Sequence, residues 1–425
     1  MTPARRARWP WMVWIMVVAV MLIAVGSFFV VKLTARLPAA TVSIDVPATG
    51  VLDGSRPPPP IPIPSKGSFA LSASVPGEAA SHAAGVVRPI GSVAKAMTAL
   101  VVLHALPLAP GASGPSRTMT DADVALYREA VAEGGSSLRV EAGEVLSERD
   151  LLLALLLPSA DNIAESLAVW SSGNRSAFIA NLNATAAAMG MHSTHFADPS
   201  GISSKTVSTA SDLVILAKAV TDSPTLAELV ATQEVRLPDG IVLHNLDVLL
   251  GQDPMWLGIK TGWTGAAGGC LLFAARKSFD TTPGVSVTVW GAVLGQPPAA
   301  GSDPAHPELG AAFAAAESAS AAALNSYSAV DLNEAMPTVT GTVTTAWGGT
   351  TQAELLPNAG STVVLIRPGV VLRFTVTKVP TSGVFGRSAI VGHVTGVLNA
   401  TTSITWRVVS ATGINGPSWT WKLLH

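Results

Sequence analysis

A serine three residues ahead of a lysine puts a hydroxyl and an amine on one helical face, and Ser92 and Lys95 are the one such pair in this chain. A neutral Lys95 amine could take the Ser92 proton, leaving an oxygen able to attack a carbonyl and hold an acyl group. An ordinary lysine, near ~10.4, is charged at neutral pH and is a poor base. Burial, a positive helix N-terminus and a second cation would all favour the neutral form. Lys260-Thr261-Gly262 supplies that cation, and Ser159-Ala160-Asp161 lies between the two in sequence. The Ser159 hydroxyl could relay a proton from Lys95 to a leaving group, with Asp161 or Asn162 holding the lysine or a substrate amide. Lys260 and the Thr261 hydroxyl suit a carboxylate, Gly262 would let a substrate backbone approach, and the N–H groups of Ser92 and Trp263 are candidates for an oxyanion hole.

The motifs stand far apart in sequence, so separate elements must bring them together. Val93, Met97 and Leu100 recur at helical spacing and predict a helix starting at or near Ser92. Ser147-Glu148-Arg149-Asp150 opens a second helix through the apolar run Leu151 to Leu157, which Pro158 ends, so Ser159 falls on a loop between two helices. Ser-Ala-Asp-Asn is also a good helix N-cap, and both readings can hold at once. Lys260-Thr261-Gly262 sits between Leu257 and a glycine-rich turn, and Cys270 to Ala275 and Val285 to Val293 read as strands. These place the motif on a sheet edge that walls a cleft. The fold class is α/β (α+β): a sheet formed by an early strand near Phe69 to Ala73 and the later ones, with a helical region from about 92 to 230. Glu234 to His244, turning at Pro238-Asp239-Gly240, reads as a hairpin, and the alanine-rich stretch from Pro307 to Ala329 as a helix over the sheet. Past about residue 335, the runs Thr338 to Thr345, Thr362 to Ile366, Val370 to Val379 and Ser403 to Val409 predict a small all-β domain.

With these motifs in this order, the chain resembles the serine D-Ala-D-Ala carboxypeptidases, the low-molecular-weight penicillin-binding proteins of actinobacterial type, over about residues 60 to 300. The resemblance extends through Pro89-Ile90-Gly91-Ser92, Leu155-Leu156-Leu157-Pro158-Ser159, Ser208-Thr209-Ala210 with Asp212, Gly258-Ile259-Lys260 and Ala267-Gly268-Gly269-Cys270-Leu271. It implies a penicillin-binding/β-lactamase-like fold in which Ser92 is acylated, Lys95 is the base, Ser159 relays the proton and Lys260 anchors the terminal D-Ala carboxylate. It also implies a peptidoglycan stem peptide ending in D-Ala-D-Ala as substrate and β-lactams as acylating inhibitors. The family usually has Asn where Asp161 stands, with Asn162 following here as if the order were swapped. A carboxylate beside Lys95 opposes its neutral form, so activity is expected to be weak unless Asn162 takes that role through a shift in the loop. Two other readings are an impaired relative that binds peptidoglycan or a partner without turnover, and a β-lactamase. The second lacks any glutamate between Ser166 and Ala227 to serve as a deacylating base.

Composition sets the surroundings. The 26 basic and 28 acidic residues nearly balance and give no footprint for nucleic acid. The single cysteine, Cys270, cannot form an internal disulfide and lies in an apolar strand, where a structural role is expected. The pair His192 and His195 lacks a third candidate ligand, and neither a metal nor a cofactor is expected. Trp9 to Val31 carries no charge, follows Arg5, Arg6 and Arg8, and has Trp9, Trp11 and Trp14 at one end. This predicts a single membrane span with a cytoplasmic N-terminus and everything after it outside the cell; a cleaved signal peptide is the rival, disfavoured by the length of the run. The expected organisation is a stub and anchor over 1–37, a stiff Pro-rich linker over 38–65, a catalytic domain over 66–330 and the β domain over 331–425. Family members are often held by a C-terminal amphipathic helix, whereas Trp419-Thr420-Trp421-Lys422 reads here as a strand.

Overall fold

The structure is a computed structural model. It describes residues 9–52, 60–75, 79–279, 284–298, 307–360, 362–367, 369–398 and 402–425. The arginines before Trp9 and most of the proline run at 57–60 lie outside these residues. The chain forms two compact units, one from Pro58–Ala329 and the other from the preceding residues together with Val330–His425.

The first unit is built on a five-stranded antiparallel sheet in the order Trp256–Thr264, Gly268–Ser278, Ser286–Gln296, Ser68–Ala73, Ala79–His82. Its middle strands are buried on both faces, so they read as continuous apolar runs rather than alternating ones. Cys270, Leu272, Ala274, Ala292 and Leu294 join the main core with Leu213, Leu216 and Val220 of the helix Ala210–Asp222. Leu271, Phe273 and Val293 alternate to the other face, and the alanine-rich helix Leu309–Asn325 packs on the same two strands. Small residues let that helix come close: a Cβ on Gly269 would lie 2.0 Å from the Glu308 carbonyl oxygen.

The helical region fills the space beyond the first face. Helix Ala94–Ala105 is buried from Ala94 to Val102, more than the single stripe expected from periodicity, because it runs through the middle of the unit. Helix Glu148–Leu156 starts at a capping box in which the Ser147 hydroxyl accepts the Asp150 N–H and the Asp150 carboxylate accepts the Ser147 N–H. Its first residue, Glu148, is fully buried, and neither carboxylate oxygen has a hydrogen-bond partner among the described residues. Burial pushes this carboxyl up to about 7. The folded state then binds a proton that the unfolded state, at ~4.3, releases, so stability is lost as pH rises between those values. Glu148→Gln is expected to be more stable than the parent by about 3 kcal/mol at pH 8 and equal to it at pH 4, measured by urea unfolding. An equal difference at both pH values would show that the carboxylate is not the cause.

The second unit is a seven-stranded antiparallel sheet, in the order Thr41–Asp45, Thr340–Thr344, Thr350–Leu356, Ser403–Ser410, Ile390–Val397, Val371–Lys378, Thr49–Val51. Its core gathers Val343, Leu372, Val391, Val394, Trp406 and Val408. Two expectations are corrected here. Much of the stretch expected as a linker belongs to this sheet: Thr41–Asp45 pairs with Thr340–Thr344, and Thr49–Val51 pairs with Val371–Arg373. Trp419–Leu424 is a helix, not a strand, because the Ser418 hydroxyl accepts the Trp421 N–H and starts a helical turn. Ahead of the sheet, Trp9–Thr34 is one helix, of which Trp11–Thr34 is long and apolar enough to cross a membrane.

Candidate active site

Ser92 sits in a 3₁₀ turn, Gly91–Val93, that runs directly into the helix Ala94–Ala105 and points the Lys95 side chain back toward it. Lys95 is completely buried, and its Nζ donates to Ser92 Oγ at 2.7 Å, Asp161 Oδ1 at 2.6 Å and the Ser200 carbonyl at 3.0 Å. The Ser92–Lys95 contact expected from i, i+3 spacing is therefore made. The Asp161 carboxylate is the group that holds the lysine.

Ser159 lies between the helices Glu148–Leu156 and Asp161–Ser172 with φ of +67°, a left-handed conformation that costs a non-glycine residue energy and concentrates at functional positions. Its hydroxyl is buried and has no partner among the described residues. It faces a narrow cleft of about 50 Å³ lined with Ser92, Ser136, Thr261, Gly262 and Trp263. An orphaned buried hydroxyl on the same cleft as Ser92 is able to accept and pass on a proton.

The Lys260 motif lies on the edge strand Trp256–Thr264. Lys260 is 1% exposed and donates to the Thr261 hydroxyl at 3.3 Å. Complete burial, reinforced by the nearby Lys95 charge and opposed by Asp247 and Asp161, brings its amine down to about 7. Burial likewise raises Asp247 to about 6, against the Leu249 N–H and the charge of Lys260.

Gly262 makes a close approach within the chain itself. A Cβ there would lie 2.8 Å from the Val93 nitrogen, 2.9 Å from the Ile90 oxygen and 3.1 Å from the Ser92 nitrogen. The glycine thus lets the Ser92 turn press against the strand. Gly91, at φ +54°, meets the strand from the other side, where a Cβ would lie 3.0 Å from the Trp263 nitrogen. The Ser92 and Trp263 amides therefore flank one contact, and the Trp263 side chain stays half exposed at the cleft.

Asn162 does not stand in for the asparagine that the resemblance leads one to expect. Its amide is buried, with Oδ1 accepting from the Leu138 N–H at 3.0 Å and Nδ2 donating to the Leu138 carbonyl at 2.9 Å. Both ends of the side chain are committed to fixing the Leu138 loop, because adjacent residues in a helical turn point about 100° apart. Sequence reasoning missed Asp198, whose carboxylate accepts from the Ser200 hydroxyl at 2.8 Å, the Gly201 N–H at 2.8 Å, the Ile202 N–H at 3.0 Å and the Thr206 hydroxyl. That turn presents the Ser200 carbonyl to Lys95, and its one sequence signal is Asp198-Pro199-Ser200-Gly201. The buried Cys270 thiol is pushed up to about 12 by burial, as befits a structural cysteine.

A family model described as Peptidase_S11, D-alanyl-D-alanine carboxypeptidase, matches residues 79–290. The chain is 36% identical over 194 residues to a D-alanyl-D-alanine endopeptidase of Escherichia coli, covering 44% of this chain and 59% of the relative. A D-alanyl-D-alanine carboxypeptidase of Mycobacterium tuberculosis is 33% identical over 198 residues, 45% of this chain and 64% of the relative. The chain thus spans about three fifths of the length of these curated relatives. A Streptomyces DD-transpeptidase crystal structure superposes with a TM-score of 0.51 at 25% identity, covering 62% of this chain and 100% of that one.

Proposed function

Because residues 79–290 belong to the D-alanyl-D-alanine carboxypeptidase family of serine peptidases, we propose that this chain removes the terminal D-alanine from peptidoglycan stem peptides ending in D-Ala-D-Ala. The observation that carries the reading is the Ser92 hydroxyl 2.7 Å from a buried lysine amine, facing the same cleft as the unpartnered Ser159 hydroxyl. Ser92 Oγ attacks the carbonyl of the penultimate D-Ala as its proton passes to neutral Lys95. The oxyanion forms against the Ser92 and Trp263 N–H groups, and Ser159 carries the proton onto the departing D-Ala nitrogen. Water then releases the acyl group from Ser92. Lys260 and Thr261 hold the terminal carboxylate, while Asp161 sets the state of Lys95. A β-lactam, whose strained amide takes the place of the scissile bond, acylates the same oxygen. The Trp11–Thr34 segment anchors the chain in the membrane, with both compact units on the peptidoglycan side.

Cleavage of cross-links is a second reading, because the Escherichia coli relative is an endopeptidase. A buried cation suited to a free carboxylate favours the carboxypeptidase. The test follows D-alanine release from a pentapeptide by the full chain in detergent, alongside mapping of any fluorescent-penicillin adduct. Release with an adduct on Ser92 supports the proposal. Cleavage of a cross-linked dimer alone assigns an endopeptidase, an adduct without any cleavage a binding relative, and penicillin consumed without an adduct a β-lactamase.

The carboxylate role of Lys260 predicts a pH dependence. Its amine is charged below about 7 and neutral above. For a pentapeptide with a free C-terminus, 1/KM should therefore fall about tenfold per unit as pH rises beyond 7, and the C-terminal amide should bind weakly with no such fall. Equal slopes for the two peptides would remove Lys260 from carboxylate recognition.

A further inference from the structure

The cleft at Ser92 has two apolar walls that the three motifs do not supply. Leu246 and Leu309 line it together with Ser159, Thr261 and Trp263. Leu246 stands beside the Ser159 turn, since its N–H donates to the carbonyl of Leu157, two residues ahead of Ser159, at 3.3 Å. The residues on either side hold it there. The Asn245 side-chain amide donates to the Thr232 carbonyl at 2.9 Å, and the Asp247 carboxylate accepts the Leu249 N–H at 3.1 Å and caps the 3₁₀ turn Val248–Gly251.

Leu309 comes from beside the Trp263 end of the edge strand. Trp263 pairs with Gly269, the residue whose missing side chain admits the Glu308 carbonyl. The next residue, Leu309, opens the alanine-rich helix and is only 4% exposed. Main-chain contacts thus fix where both leucines enter the cleft. The space left is about 50 Å³, far below the ~300–1,000 Å³ of a pocket for a drug-sized ligand.

We infer that Leu246 and Leu309 are specificity-determining residues that restrict the departing residue to the size of alanine. The inference rests on the proposed carboxypeptidase reaction and sharpens it. In that reaction the cleft belongs to the departing residue, because Ser159 passes a proton to its nitrogen while Lys260 and Thr261 hold its carboxylate. A methyl side chain fits between two leucines. A branched side chain, or one that runs on through a cross-link into a second stem peptide, meets them, and a packed wall yields to extra carbon atoms only at a cost. Exclusion of cross-links then comes from these two walls rather than from the reacting groups.

The test compares kcat/KM of the full chain in detergent on pentapeptides ending in D-Ala-D-Ala or D-Ala-D-Leu and on a cross-linked dimer. The parent should prefer D-Ala-D-Ala over D-Ala-D-Leu by about 100-fold or more. Leu309→Ala should cut that preference about tenfold, mainly through a lower KM for the D-Leu peptide, and should begin to cleave the dimer. Leu309→Met, close in volume, should keep the parent's preference. Leu246→Ala opens the same cleft from the other wall and should act in the same direction, so it decides the matter if Leu309→Ala melts below the assay temperature. D-alanine release with a preference unchanged in the folded alanine variants overturns the inference and keeps the carboxypeptidase. So does a parent that accepts D-Leu or the dimer as readily as D-Ala. No D-alanine release by the parent overturns both.

Discussion

A Ser92→Ala chain is expected to form no covalent penicillin adduct and to lose about 10⁴-fold or more of its peptide turnover, since the oxygen that carries the acyl group is gone. The fold should survive the change. Lys95 keeps Asp161 and the Ser200 carbonyl, so its buried charge stays compensated, and the melting temperature should match that of the parent. Reversible peptide binding should also persist, because Lys260, Thr261 and the Ser92 amide are untouched. Lys95→Ala separates the two kinds of loss: it removes the base and leaves a buried carboxylate without its partner, which costs about 3–5 kcal/mol of stability as well as activity. Mass mapping of the adduct and a thermal melt on both variants check this. A penicillin adduct that persists in Ser92→Ala would place the nucleophile elsewhere.

Asp161→Asn should raise kcat/KM for peptide cleavage by roughly 10-fold or more at neutral pH. The reason lies in the partners of Lys95 Nζ. Ser92 Oγ, Asp161 Oδ1 and the Ser200 carbonyl are three acceptors, matching the three N–H bonds of an ammonium. Such a shell favours charged lysine, which has no lone pair for the Ser92 proton. Asparagine keeps an acceptor at that place and removes a full negative charge 2.6 Å from the nitrogen. An unchanged kcat/KM would show that Asp161 does not govern the base. A loss of activity at every pH would show that the carboxylate itself handles the proton.

What could be read from the sequence was what short-range pattern encodes. Helical spacing after Ser92, the capping signal at Ser147 and the apolar runs around Cys270 and Val289 gave the elements of the catalytic unit and the meeting of Ser92 with Lys95. Periodicity could not show which of Asp161 and Asn162 turns toward Lys95, because that depends on the Leu138 loop packed beside them. Gly262 was legible as a close approach, but only the fold reveals that its neighbour is the Ser92 turn. The strand Thr41–Asp45 was hidden for a related reason: five residues of weak alternation become a strand only beside Thr340–Thr344. Ser418 carried the one local hint of the terminal helix, among tryptophans and threonines that favour strands.

The pairing of Thr41 with Thr344 makes the catalytic unit an insertion within another domain. During synthesis, the strands before residue 52 emerge first and wait for partners that follow the whole enzyme, an interval on the order of tens of seconds at ribosomal speed. The enzyme can fold meanwhile, but the β sheet cannot close, so early termination would leave an exposed strand edge on an otherwise folded product. The finished chain gains from the same arrangement. A protease that cuts on one side of the catalytic unit still leaves it covalently tethered on the other, and shedding it takes two cuts.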